Sequence, residues 1–104
     1  MKYSVVIPTY NNRNNLINSL EALVRLDYPG SCFEVIVVDD GSSDGLIAAI
    51  AGFRHRLGLR TVRLERDVRS CRSRARNHGW KIARGKYVVF IDSDMIVKPD
   101  YLMR

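Results

Sequence analysis

Asp92 and Asp94 are alternate residues directly after the apolar run Tyr87-Val88-Val89-Phe90-Ile91. Two carboxylates at that spacing can hold one hard divalent cation, or one can take a metal and the other a ribose hydroxyl. Mg²⁺ and Mn²⁺ favour oxygen ligands and often borrow phosphates to complete an octahedron. The same pair also reads as a solvated loop that caps a following helix. Asp39 and Asp40 make a second acidic pair, after the apolar run 33–38. An Asp there can accept a base N–H or a ribose hydroxyl, or it can serve the turn that Gly41-Ser42 opens. Tyr10 follows the first apolar run and can stack on a base; ordinary packing is the alternative.

Arg72, Arg74 and Arg76 begin a later helical stretch. Arginine suits bidentate phosphate contacts, and a helix N-terminus adds backbone donors. Residues two apart on a helix point in different directions, so at most one or two of the three can face a single site. His55 and His78 lack metal-ligand spacing with any neighbour. His55 reads as surface, His78 as packing or capping, Cys71 as structural and Trp80 as packing.

The elements that must carry these groups follow from periodicity. Residues 3–9 are β-branched and apolar and read as a buried strand. Leu16, Ile17, Leu20, Leu23 and Val24 then share one helical face, with an Asn near position 12 as the expected cap. Residues 33–38 read as a strand buried on both faces. Leu46, Ile47, Ile50, Phe53 and Leu57 form the next helical stripe. Residues 59–64 read as an edge strand with Arg60 and Arg63 on its wetter face. A third helix is expected from Ser70 or Ser73 to about Arg84, with Cys71, Ala75, His78 and Ile82 inward and Gly85 as its stop. Residues 87–91 make a fourth strand. Strand–helix alternation of this length implies a parallel sheet with helices on both faces. Such sheets bind ligands beyond the carboxyl ends of their strands, where Thr9-Tyr10-Asn11, Asp39 to Ser42 and Asp92-Ser93-Asp94 all fall.

Composition bounds the alternatives. The chain has 104 residues, 17 Lys+Arg and 11 Asp+Glu, for a net charge of +6. One domain is the expected limit at this length. No apolar run approaches the roughly 20 residues of a membrane span, and no signal peptide is legible at the N-terminus. Two cysteines make neither a disulfide framework nor a metal cage, so a cytoplasmic, reduced setting is expected. Residues 54–86 hold 12 basic and 2 acidic residues, a net of +10, while the remainder nets −4. That asymmetry reads either as a solvated basic face or as a phosphate-rich ligand or partner.

Together these segments resemble the nucleotide-binding half of family 2 glycosyltransferases, with the GT-A fold. The matching stretches are Ser4-Val5-Val6-Ile7-Pro8-Thr9-Tyr10-Asn11, then Glu34 to Asp44, then Ala75-Arg76-Asn77-His78-Gly79, then Gly85 to Asp94. They occur in the family's order and cover nearly the whole chain. The resemblance implies a three-layer, Rossmann-like parallel sheet of about four strands, a partial GT-A fold, as one domain over 1–104. It implies that Pro8, Thr9 and Tyr10 lie against the base. Asp40, with Asp39, matches the acid that reads a uracil-type base or ribose. Arg76 and Asn77 match the segment beside the donor phosphates. Asp92 and Asp94 match the D-x-D signature that holds Mn²⁺ or Mg²⁺, the last acid chiefly on the metal and the first also helping to hold the ribose side, with Ser93 between them in the nucleotide-sugar site. One departure is Cys71, flanked by Arg69 and Arg72, at a position often glycine in the family.

The implied activity is metal-dependent, inverting sugar transfer from a nucleoside-diphosphate sugar, UDP-type favoured, to an unidentified acceptor, as in polysaccharide biosynthesis. The family's acceptor base comes later than D-x-D, so it is expected beyond residue 104, and these residues are expected to bind donor without completing transfer. A half-fold would expose sheet surface and an unpaired edge, so homo-oligomers are expected. The implied location is cytoplasmic, free or peripheral at the inner membrane face. The rival reading is a non-enzymatic basic module for nucleotides or nucleic acid, but no aromatic RNA-binding pattern accompanies the arginines and no specific nucleic acid is expected. A dinucleotide-binding enzyme would need G-x-G-x-x-G where Pro8-Thr9-Tyr10-Asn11-Asn12 stands.

Overall fold

A computed structural model describes residues 2–68 and 70–103; Arg69, named above beside Cys71, lies outside them. Four strands, β1 (Tyr3–Thr9), β2 (Phe33–Asp39), β3 (Leu59–Arg63) and β4 (Tyr87–Phe90), alternate with helices α1 (Arg13–Val24), α2 (Leu46–Ile50) and α3 (Arg72–Ile82). The sheet is wholly parallel, in the order β3-β2-β1-β4. Val5 is opposite both Val35 and Val89, so β1 is central. The chain winds outward from β1 to β3 and then returns to β1's other side. The strand order therefore reverses between β1 and β4, the place where open α/β sheets bind ligands.

Continuous burial of β1 and β2 follows from this arrangement. Val5, Val6, Ile7, Val35, Ile36, Val37 and Val38 are all fully buried, each stabilising the fold by roughly 1.5–3 kcal/mol. Alternation divides them between two cores. Val5, Ile7, Val35 and Val37 pack with Leu16, Leu20, Leu23, Leu46 and Ile50 of α1 and α2. Val6, Ile36 and Val38 pack under Ala75 of α3 on the opposite face. This is the three-layer arrangement expected from the sequence.

Several local expectations are corrected. Asn12 occupies the cap position of α1 but its side chain makes no capping bond; its amide goes instead to Ser93 Oγ, 2.8 Å away. The second helical stripe is broken, with α2 ending at Ile50 and a 3₁₀ turn over Ala51–His55. The cap of α3 is Cys71, whose sulfur accepts from the Arg74 amide at 3.4 Å, rather than Ser70 or Ser73. The inner face of α3 is Ala75 and Gly79; Cys71 is exposed, and His78 and Ile82 are half-buried. Arg60 and Arg63 do not share a face, because residues three apart on a strand point oppositely. Arg60 reaches Glu34 and the Ile82 carbonyl on the α3 side, and Arg63 reaches Asp39. Trp80 is exposed rather than packed. α3 ends before Gly85, whose amide donates to Ser4 Oγ at 2.7 Å. Among the described residues no helix is long and apolar enough to cross a membrane.

Candidate functional site

An open cleft of about 350 Å³ lies at the β1/β4 switch point. Pro8, Thr9, Tyr10, Asn12, Asp40, Arg66, Cys71, Arg72, Ala75 and Ser93 line it. β1 delivers Pro8, Thr9 and Tyr10, while β2 delivers Asp40, whose amide donates to the Thr9 carbonyl at 2.9 Å. The loop after β4 is fixed from the α1 side. Ser19 Oγ donates to the Ser93 carbonyl at 2.9 Å, and Asn12 holds the Ser93 hydroxyl. Ser93 is thereby buried at the cleft floor, with Asp92 and Asp94 exposed on either side.

Adjacent residues on a strand face opposite ways, and this separates the acidic pair after β2. Asp39 is fully buried. Its Oδ1 accepts from the Ser42 amide at 2.9 Å and the Ser42 hydroxyl at 2.5 Å, and its Oδ2 pairs with Arg63 at 3.0 Å. Those are turn and strand-end bonds. Asp40 instead lines the cleft. Its Oδ1 accepts from Arg74 Nη2 at 2.6 Å and its Oδ2 from Arg66 Nη1 at 3.2 Å. The hydrogen bond to Asp40, reinforced by the charge of Asp67, pushes the Arg74 guanidinium above its ordinary pKa.

The loops after β1 and β2 are tied together. The Asn11 amide donates to Ser42 Oγ at 2.8 Å, and Asn11 Oδ1 accepts from the Ser43 amide at 2.8 Å. Asn11 adopts φ 47 to do so, a left-handed conformation that Asn tolerates better than most residues. Gly41 is at φ 85, and a side chain there would meet Arg66 Cβ at 2.8 Å, so glycine permits the segment after β3 to lie against the β2 turn.

At the cleft mouth Arg72 and Arg76 flank Asp92, at 3.5 Å and 3.7 Å. Asp94 has no partner among the described residues. Asn77 lies away from the cleft, in a shallow groove with Leu64, Arg74, His78 and Lys81. The structure thus gathers Pro8, Thr9, Tyr10, Asp40 and Ser93 in one cleft and joins Asp92 and Arg76 to its rim. Asp39 lies behind it and Asn77 outside it. Asn12 and Arg66 are added to the lining. Arg66 has no local sequence signal, since its place depends on a chain reversal that only the fold shows.

Thr9 lines the cleft, but its Oγ1, buried without a hydrogen-bond partner among the described residues, shares the sheet face of its register partner Asp39 rather than that of Asp40. Asp92 and Asp94 supply hard oxygen donors, and no cluster of three His, Cys, Asp or Glu side chains that could hold a metal exists among the described residues. Such a donor set fits a divalent cation that takes its other ligands from phosphate and water.

Comparison with known proteins agrees with this geometry. Residues 4–104 match the model of Glycosyl transferase family 2. A poly(ribitol-phosphate) beta-N-acetylglucosaminyltransferase of Staphylococcus aureus, TarS, is 36% identical over 102 residues, which is 98% of this chain and 18% of that protein. A poly(ribitol-phosphate) beta-glucosyltransferase of Bacillus spizizenii is 36% identical over 105 residues, 100% of this chain and 16% of that one. The chain therefore spans less than a fifth of these relatives. Among solved structures, S. aureus TarS 1-349 in complex with UDP-GlcNAc superposes with a TM-score of 0.92 at 36% identity, over 99% of this chain and 29% of that one. The mannosyltransferase PcManGT from Pyrobaculum calidifontis, in complex with GDP-Man and Mn²⁺, superposes with a TM-score of 0.88 at 30% identity, over 97% and 30%.

Proposed function

The chain belongs to glycosyl transferase family 2, and on that premise we propose that its cleft binds the donor of a sugar transfer, a nucleoside-diphosphate sugar, with a divalent cation. The observation that carries the reading is the convergence of Tyr10, Asp40 and Ser93 at the strand-order reversal. Tyr10 offers a ring to the base, and Asp40 offers a carboxylate to a base N–H. Uracil presents such an N–H, and the UDP and UDP-GlcNAc complexes of a 36% identical neighbour support a uridine donor over a guanosine one.

Asp92 and Asp94 would hold Mn²⁺ or Mg²⁺, in keeping with the Mn²⁺ complex of the mannosyltransferase. Bound there, the cation would supply Lewis-acid neutralisation of the leaving diphosphate. Arg72 and Arg76, 3.5 Å and 3.7 Å from Asp92, would add positive charge beside a bound diphosphate. We propose transfer of the donor sugar to an acceptor, with inversion, as the reaction this donor site serves. The free edge of β4, with Tyr87 and Phe90 exposed, supports self-association of these 104 residues.

Calorimetric titration with a panel of nucleoside diphosphates, with and without Mn²⁺, tests the donor site. UDP binding that is stronger with Mn²⁺ and lost in Asp94→Ala is the expected result. No binding by any of the panel, with the variant indistinguishable, overturns the reading.

A further inference from the structure

Arg66 belongs to the segment between β3 and α3, and its backbone is held against Gly41. Its guanidinium lies over the Tyr10 ring, 3.7 Å from the centroid. The same group donates to Asp40 Oδ2 at 3.2 Å and more weakly to the Asp40 carbonyl at 3.4 Å. A planar group stacked on Tyr10 and donating to Asp40 does what the proposed function asks of a nucleobase. We infer that Arg66 is an internal stand-in for the base, filling the base subsite in the unliganded chain and leaving it when the nucleotide enters. The inference rests on the donor-site reading and adds to it the residue that sets how readily that subsite opens.

The surroundings suit an exchange. Asp40 Oδ1 is held independently by Arg74, which also donates to the Glu65 carbonyl and to Ser70 Oγ. Asp40 therefore keeps its orientation and a counter-charge after Arg66 departs. The Arg66 side chain is 45% exposed, so its head reaches water by rotating about its own stem, with its backbone still seated on Gly41. Only a ligand offering both a flat face and an N–H donor replaces both contacts at once. A diphosphate alone replaces neither.

The test titrates uridine, UDP with Mn²⁺, and inorganic pyrophosphate with Mn²⁺ into the chain and its Arg66→Ala and Arg66→Lys variants. A cation–π stack and a part-exposed ion pair are each modest, so Arg66→Ala is expected to bind uridine and UDP roughly three- to tenfold more tightly, with pyrophosphate unchanged. Arg66→Lys keeps the charge but has no plane to lay on the ring, and its uridine affinity is expected between the two. Uridine binding unchanged or weakened in Arg66→Ala, while wild type still binds UDP, overturns the stand-in and leaves the donor site standing. Failure of wild type and both variants to bind uridine or UDP removes the donor site and the stand-in together.

Discussion

Asp92 and Asp94 stand two residues apart after β4, and only Asp92 is paired. Arg72 and Arg76 approach it to 3.5 Å and 3.7 Å, while Asp94 has no partner among the described residues. An exposed, unpaired carboxylate contributes little to folding and is free to take a cation. Asp94→Ala is therefore expected to leave stability within about 0.5 kcal/mol of wild type. The same change is expected to cut the Mn²⁺ enhancement of UDP affinity by tenfold or more, ~1.4 kcal/mol. Urea denaturation and calorimetry on one preparation check both parts. A large loss of stability would show that Asp94 serves the fold.

Tyr10 is 44% exposed at the end of β1, and its ring carries the Arg66 guanidinium but packs on no aromatic side chain among the described residues. Its contribution to a ligand should be stacking. Tyr10→Ala is expected to weaken uridine and UDP by about 1–3 kcal/mol and to leave pyrophosphate unchanged. Tyr10→Phe keeps the ring and should stay near wild type. Equal weakening of pyrophosphate would place the effect in the backbone of the cleft instead.

The sheet was legible because strand–helix alternation admits few parallel topologies, and the two-sided apolar runs of β1 and β2 marked the central strands. The polar clusters at strand ends were legible for the same reason. What was not legible depends on orientation or on distant chain segments. Asp39 and Asp40 are equivalent as letters, yet the pleat turns one inward to Ser42 and Arg63 and the other to the cleft. Arg66 reaches Tyr10 across 56 positions of sequence, a contact for which periodicity holds no signal. Cys71 caps α3 through sulfur, outside the oxygen-bearing residues that capping rules favour.

Gly79 shows how close α3 comes to the sheet. A Cβ there would overlap Val6 and lie 3.2 Å from Val38 Cγ2, and both valines are fully buried in central strands. Gly→Ala inside a helix is otherwise worth about 1 kcal/mol of gain. Here overpacking of about 1–3 kcal/mol opposes it, and the valines have no room to yield. Gly79→Ala is expected to be net destabilising by about 1 kcal/mol in urea denaturation. Gly52→Ala, in the 3₁₀ turn after α2 where no atom lies within 4 Å of the new group, is the control without overpacking and is expected to gain about 0.4–1 kcal/mol. A neutral Gly79→Ala would mean that α3 shifts outward without cost.

Glu34 ties the sheet and the α3 layer together from the α3 face of β2. Its carboxylate accepts from Ser4 Oγ at 2.5 Å, the Arg84 amide at 2.7 Å and Arg60 Nε at 3.0 Å. Burial pushes its pKa up. The bonds from Ser4, Arg84 and Arg60, with the Arg60 charge, together outweigh burial and hold it below the ordinary 4.5. Between the folded and unfolded values the unfolded chain binds more protons, so stability rises with pH there. The stabilisation is complete above the unfolded value and is lost as pH falls through the folded one. Glu34→Gln removes the charge from this set, and at pH 7 it is expected to cost about 2–3 kcal/mol. The gap between wild type and Glu34→Gln should then narrow as pH falls below 4.5. Thermal denaturation of both proteins from pH 7 downward measures it. A gap that stays constant into acid would mean that the charged form of Glu34 does not hold these layers together.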